Sequence, residues 1–165
     1  MRTFDHENLL DASGWELLRA LQEDARLSFS ELGRRVGLSP PAVAERVRKL
    51  EEAGIITGYH AQVNAEKIGY SLMAVIRLSS TCEHWAALSA LARELPEVLE
   101  CHRIIGDDCF ILKVVVASVP HLEALINQLA PYGRTTTSVV LSSPVQRRVL
   151  EACPTSMAPV RLAGD

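Results

Sequence analysis

Along this chain the apolar residues keep two different rhythms. Up to about residue 56 they recur at helical spacing: Leu17, Leu18 and Leu21, then Leu32 and Val36, then Val43, Val47 and Leu50 at i, i+4 and i+7. Each set makes one stripe on one side of a helix. Beyond residue 70, β-branched and aliphatic runs alternate with further helical stripes. The spacing predicts strands over 72–79, 98–105, 110–116 and 135–141. Amphipathic helices fall over 83–95 and from Pro120 through Leu129, giving the order βαββαβ.

Capping residues sharpen the first part. Asp11 is placed to cap a first helix, and Ser28 followed by Glu31 makes a capping box for a second that ends at Gly37. Ser39 caps a third helix with Pro40 in its first turn, and Gly54 stops it. The stretch IITGYHAQV then reads as two short extended pieces around Thr57 and Gly58, a β-wing. Two helices joined by a tight Gly-Leu-Ser turn have helix-turn-helix geometry. The βαββαβ half predicts a ferredoxin-like sheet with both helices on one face. FILKVVV, apolar on both sides apart from Lys113, predicts that the other face is apolar and covered by a second copy. The fold class expected is therefore α+β. Its parts are a winged helix-turn-helix domain over 1–62, a linker over 63–70, a ferredoxin-like domain over 71–152 and a disordered tail over 153–165.

Charge turns this architecture toward nucleic acid. The chain has 165 residues, 48% of them apolar, and a net charge of −3. Yet between positions 34 and 49 it gathers Arg34, Arg35, Arg46, Arg48 and Lys49 against the single acid Glu45. A localised basic patch on an acidic chain fits a specific duplex partner better than a general polyanion coat. Small residues at Ser39, Pro41 and Ala42 let the helix start approach a major groove. Glu45 and Arg46 are expected to reach base edges, and Arg34, Arg35, Arg48 and Lys49 to meet phosphates. A two-fold homodimer would set its recognition helices about 34 Å apart, matching a pseudo-palindromic operator. A solvated basic helix face that binds protein is the bland alternative.

Other classes of chemistry leave no mark. No nucleophile elbow, Walker loop, dinucleotide fingerprint or H-E-x-x-H zinc signature is present. Catalytic residues, metal and cofactor are all expected to be none. Four cysteines without a C-x-x-C pair suit reduced thiols. No secretory signal or membrane span is seen, and a cytoplasmic location is expected. IIGDD and GRTTTS each combine a glycine with carboxylates or hydroxyls, groups able to hold the ammonium and carboxylate of a zwitterion.

The order of these segments resembles the Lrp/AsnC, or feast/famine, family of transcriptional regulators, over roughly residues 10 to 145. The match is carried by LLDASGWELLRALQEDARLSFSELGRRVGLSPPAVAERVRKLEEAGIITGYHAQVNAEKIGY, LPEVLECHRIIGDDCFILKVVV and TTTSVVL. The resemblance implies a DNA-binding regulator that assembles as a homodimer and often an octamer, with an amino-acid effector bound between subunits. Ser39, Pro41, Ala42, Glu45, Arg46 and Lys49 match the recognition helix. Gly106, Asp107, Asp108 and Cys109 match the effector loop, and Thr135, Thr136 and Thr137 the strand that completes the pocket. Two residues depart from the pattern: Gly14 replaces an acid, and Cys109 stands where the loop carries aspartate. Siroheme decarboxylases, which share this two-domain architecture, supply an enzymatic alternative. A ligand-independent architectural DNA-binding protein is another.

Overall fold

The computed structural model describes residues 9–152, apart from the side chain of Cys82. The tail expected over 153–165 lies outside the described residues. Two compact units form: the described residues up to Ala61 together with those from Val145 onward, and Gln62–Pro144.

Three helices build the first unit. In α1 (Ala12–Glu23) the Asp11 carboxylate accepts from the Gly14 N–H at 2.8 Å. α2 (Phe29–Val36) carries the complete capping box: the Glu31 N–H donates to the Ser28 hydroxyl and the Ser28 N–H to the Glu31 carboxylate at 2.8 Å. α3 spans Pro40–Glu52. Their stripes meet in one core in which Leu17, Leu32, Val43 and Leu50 are fully buried. Burying each of these large aliphatic side chains contributes roughly 1.5–3 kcal/mol.

The turn between α2 and α3 is fixed by backbone. Gly37 adopts the left-handed conformation, φ 68°, that a helix C-terminus favours, and the Leu38 N–H returns to the Gly33 carbonyl at 3.0 Å. The Leu38 carbonyl comes so close that a Cβ on Gly33 would lie 2.4 Å from it. Only a residue without a side chain fits there.

The expected wing is corrected. Residues 57–64 have no strand pairing among the described residues. The Tyr59 hydroxyl instead donates to Glu51 at 2.9 Å, drawing this stretch back to the end of α3. Burial, reinforced by the Glu51 carboxylate, pushes the Tyr59 phenol up to about 12.

In the second unit β1 (Leu72–Ser79), α4 (Trp85–Glu94), β2 (Val98–Arg103), β3 (Phe110–Val116), α5 (Val119–Leu129) and β4 (Arg134–Val139) follow in sequence. The strands order as β2-β3-β1-β4, every neighbour antiparallel. Ala74, Ile76 and Leu78 of β1 and Phe110, Leu112 and Val114 of β3 share a core with Leu88 of α4 and Leu122, Leu125 and Leu129 of α5, so both helices lie on one face. In β2 the register shifts between Val98 and Glu100, making Leu99 the extra residue of a bulge, and it is exposed. The opposite face is only partly the apolar surface expected. Met73, Val75, Ile111 and Val115 form its middle, while Lys113 pairs with Glu100 at 2.9 Å and Arg77 faces Asp108.

Helix propensity alone predicts that Gly33→Ala stabilises the protein by about 1 kcal/mol. The close Leu38 carbonyl reverses that sign. Thermal unfolding is expected to show a lower melting temperature for Gly33→Ala, and a melting temperature at or above wild type would contradict the contact.

Candidate functional site

α3 begins with the Ser39 hydroxyl accepting from the Ala42 N–H at 3.4 Å and with Pro40 and Pro41 in the first turn. Proline there gives up an N–H that has no helical partner. Ser39, Pro40, Pro41 and Ala42 are exposed, leaving the positive end of the helix open to an anion. Further along the same flank Glu45, Arg48 and Lys49 are exposed, as are Arg34 and Arg35 in the last turn of α2.

Those on α3 are paired among themselves. Glu45 accepts from Arg48 at 2.7 and 3.0 Å and lies 3.5 Å from Lys49, and Arg48 also pairs with Glu52. The Arg48 guanidinium holds the Glu45 carboxyl below the usual range, and Glu45 followed by Glu52 raises the pKa of Arg48. Exposed pairs of this kind are weak and screened, so they are given up at small cost. Arg34 and Arg35 form no ion pair among the described residues; their charge reaches Glu31 only through space.

Arg46 is engaged within the chain. It follows Val43 by three residues and precedes Leu50 by four, which puts it at the border of the buried stripe. Its side chain is only 21% exposed and pairs with the Asp11 carboxylate at the cap of α1. This pair ties the first helix to the third through the residue expected at a base edge. The Gly14 N–H, then Arg46, keeps the Asp11 carboxyl below the ordinary range.

The two segments expected to hold an effector meet at one end of the sheet. Phe110 and Thr135 both pair with Leu78, so residues 106–109 and the start of β4 flank the end of β1. The Cys109 N–H donates to the Leu78 carbonyl at 2.8 Å and its thiol to the Ser80 carbonyl at 3.0 Å. The Ser80 hydroxyl continues to the Tyr132 carbonyl at 2.5 Å. Gly106 and Asp107 are exposed, and Asp108 lies 3.6 Å from Arg77. The threonines divide: Thr135 and Thr137 pair with Leu78 and Ile76 on the helix-covered side, while Thr136 pairs with Arg77 on the other. Arg77 was missing from the sequence expectation, although it is the one charge interrupting the apolar run 72–78. A separate groove of about 310 Å³ lies along β2, lined by residues including Ser89, Arg93, Cys101 and Arg103. None of the expected effector residues lines it.

Residues 10–51 match the AsnC-type helix-turn-helix domain, and 72–150 the Lrp/AsnC ligand binding domain. The chain belongs to the Lrp/AsnC family. Its relatives include the HTH-type transcriptional regulator LrpC of Bacillus subtilis, 36% identical over 81% of this chain and 92% of that one. The solved structure of B. subtilis LrpC superposes with a TM-score of 0.80 at 35% identity, covering 84% of this chain and 99% of LrpC. A regulator from Neisseria meningitidis in complex with L-Met gives a TM-score of 0.81 at 28% identity, over 86% of this chain and 96% of that one. The feast or famine regulatory protein of Mycobacterium tuberculosis complexed with L-methionine gives 0.78 at 32%, over 86% and 99%. Like these Lrp/AsnC proteins, the chain joins a helix-turn-helix unit to a four-stranded α+β unit.

Asp11→Asn keeps the cap acceptor and removes the charge facing Arg46. Because the folded carboxyl is shifted downward, its stabilisation is fully present above the ordinary aspartate pKa of about 4 and is lost as pH falls through the depressed value. Melting temperatures at neutral pH and near pH 3 are expected to show a deficit for Asp11→Asn that closes on acidification. An equal deficit at both would contradict the ion pair.

Proposed function

We propose that the chain is a sequence-specific DNA-binding transcriptional regulator whose Gln62–Pro144 unit senses an amino acid between copies of the chain. The carrying observation is the start of α3: a capped, small-residue helix end, exposed throughout, with Arg34, Arg35, Arg48 and Lys49 beside it. Ser39, Pro41 and Ala42 lie against the groove floor, Glu45 reaches a base edge, and the four cations meet phosphates. The duplex carries a pseudo-palindromic operator, read by a homodimer that buries the Met73, Val75, Ile111 and Val115 strip. The protein acts in the cytoplasm, where that DNA lies.

Two structural neighbours with L-methionine bound support an amino-acid effector. At the sheet end described above, the Arg77 guanidinium complements the effector's carboxylate and Asp108 its ammonium, with Gly106, Asp107, Cys109 and Thr135–Thr137 backbone around them. The relatives named as regulators favour this over an enzyme. So does the histidine chemistry: His84 packs on Tyr132, His102 meets Glu100 and His121 meets Glu97, three separate places. One observation favours the ligand-independent reading: the Cys109 thiol and the Asp108 carboxylate already have partners within the chain.

Lys49→Ala is expected to lower affinity for every duplex and to reduce the slope of log K against log salt by about one per protomer. An unaltered slope would remove Lys49 from the interface.

Thermal shifts against the twenty amino acids decide between the two regulatory readings. L-methionine or a related side chain is expected to raise the melting temperature, and Arg77→Ala to abolish the rise. A flat response to all twenty would leave the ligand-independent architectural protein.

A further inference from the structure

The chain does not end its contribution to DNA binding at α3. After β4 it returns to the helix-turn-helix unit, where residue 150 is held by the last turn of α1, 128 residues away in sequence. The hold has two points. The Gln22 Nε2 donates to the Leu150 carbonyl at 3.1 Å, and the Leu150 N–H donates to the Gln22 side-chain Oε1 at 2.9 Å. A side-chain amide thus imitates the paired peptide of a neighbouring strand and fixes both position and direction of the strap. Arg147 and Arg148, expected in the second domain over 71–152, thus belong to the same unit as the basic patch.

We propose that the strap 145–150, clipped to α1 by Gln22, adds Arg147 and Arg148 to the duplex-binding surface as phosphate contacts flanking the recognition helix. The proposal rests on the DNA-binding reading above. Two observations carry it. First, the clip sits in the last turn of α1, a short link away from the Ser28 cap of α2. In helix-turn-helix docking it is the helix before the recognition helix that crosses the phosphate backbone. That helix is α2, so the strap is fastened one short link ahead of the helix that crosses the backbone.

Second, the cations of this unit divide by commitment. Arg19 pairs with Glu23, Arg46 with Asp11, Arg48 with Glu45 and Glu52, and Lys49 with Glu45. Arg147 and Arg148, like Arg26, Arg34 and Arg35, are exposed and have no ion pair among the described residues, so they meet a polyanion without first giving up an acid. Phosphate is the matching partner, because each neutralised phosphate releases condensed counterions whichever bases lie beneath.

The test uses the full chain and a mixed-sequence duplex of about 40 base pairs, with binding followed by fluorescence anisotropy between about 50 and 200 mM salt. The double variant Arg147→Ala/Arg148→Ala is expected to lower the salt slope by about 0.9 for each arginine that meets a phosphate. Gln22→Ala, which removes no charge, is expected to lower it too by releasing the strap. A wild-type slope in the arginine variant, alongside a reduced slope in Arg34→Ala/Arg35→Ala, would overturn the proposal and leave the functional reading standing. A wild-type slope in Gln22→Ala alone would overturn the clip. Failure of the wild-type chain to bind any duplex would overturn the functional reading and the strap together.

Discussion

Val43, Val47 and Leu50 can be buried against Leu17 and Leu32 only if the opposite flank of their helix faces out. That constraint aims everything functional in the first unit. The Leu38 carbonyl packed against Gly33 sets the angle at which the helix leaves the turn, and the Ser39 cap sets where it starts. Arg46, drawn to Asp11, then couples the helix to α1 across its edge. The cationic flank is a consequence of packing, because a cluster of arginines on a freely rotating helix would have no fixed aim.

The second unit works by register. Antiparallel pairing of β1 with both β3 and β4 places Leu78 opposite Phe110 and Thr135, and this brings a loop and a strand that are some 25 residues apart to one sheet end. Side-chain alternation then decides which groups are offered: Thr136 and Arg77 share a face, while Thr135 and Thr137 turn toward the helices. Loop 106–109 is held by the Cys109 thiol on the Ser80 carbonyl and by Arg77 of β1 on Asp108.

Local features were legible in the sequence. The strands over 72–79 and 110–116 have the bounds their apolar patterns predicted, and the Ser28 and Glu31 capping box formed with both of its bonds. Helix period also carried the information about Arg46, whose spacing from Val43 and Leu50 marks it as a border residue. Other features depend on long-range pairing and had no local sign. The hairpin around Thr57 and Gly58 had turn residues but no strand partner, the bulge at Leu99 follows from its pairing with β3, and the Gln22 clip joins residues too distant for any pattern to connect. Arg77 stands in the apolar run 72–78, and only the β1–β3–β4 register shows what lies beside it.

Hydrogen–deuterium exchange of the full chain, with and without a duplex fragment, tests the aim of α3 most directly. The account predicts slowed exchange across Ser39 to Lys49 and the end of α2 when DNA is added, with the sheet of the second unit unchanged. Protection confined to the sheet, or exchange across α3 that DNA leaves untouched, would contradict it.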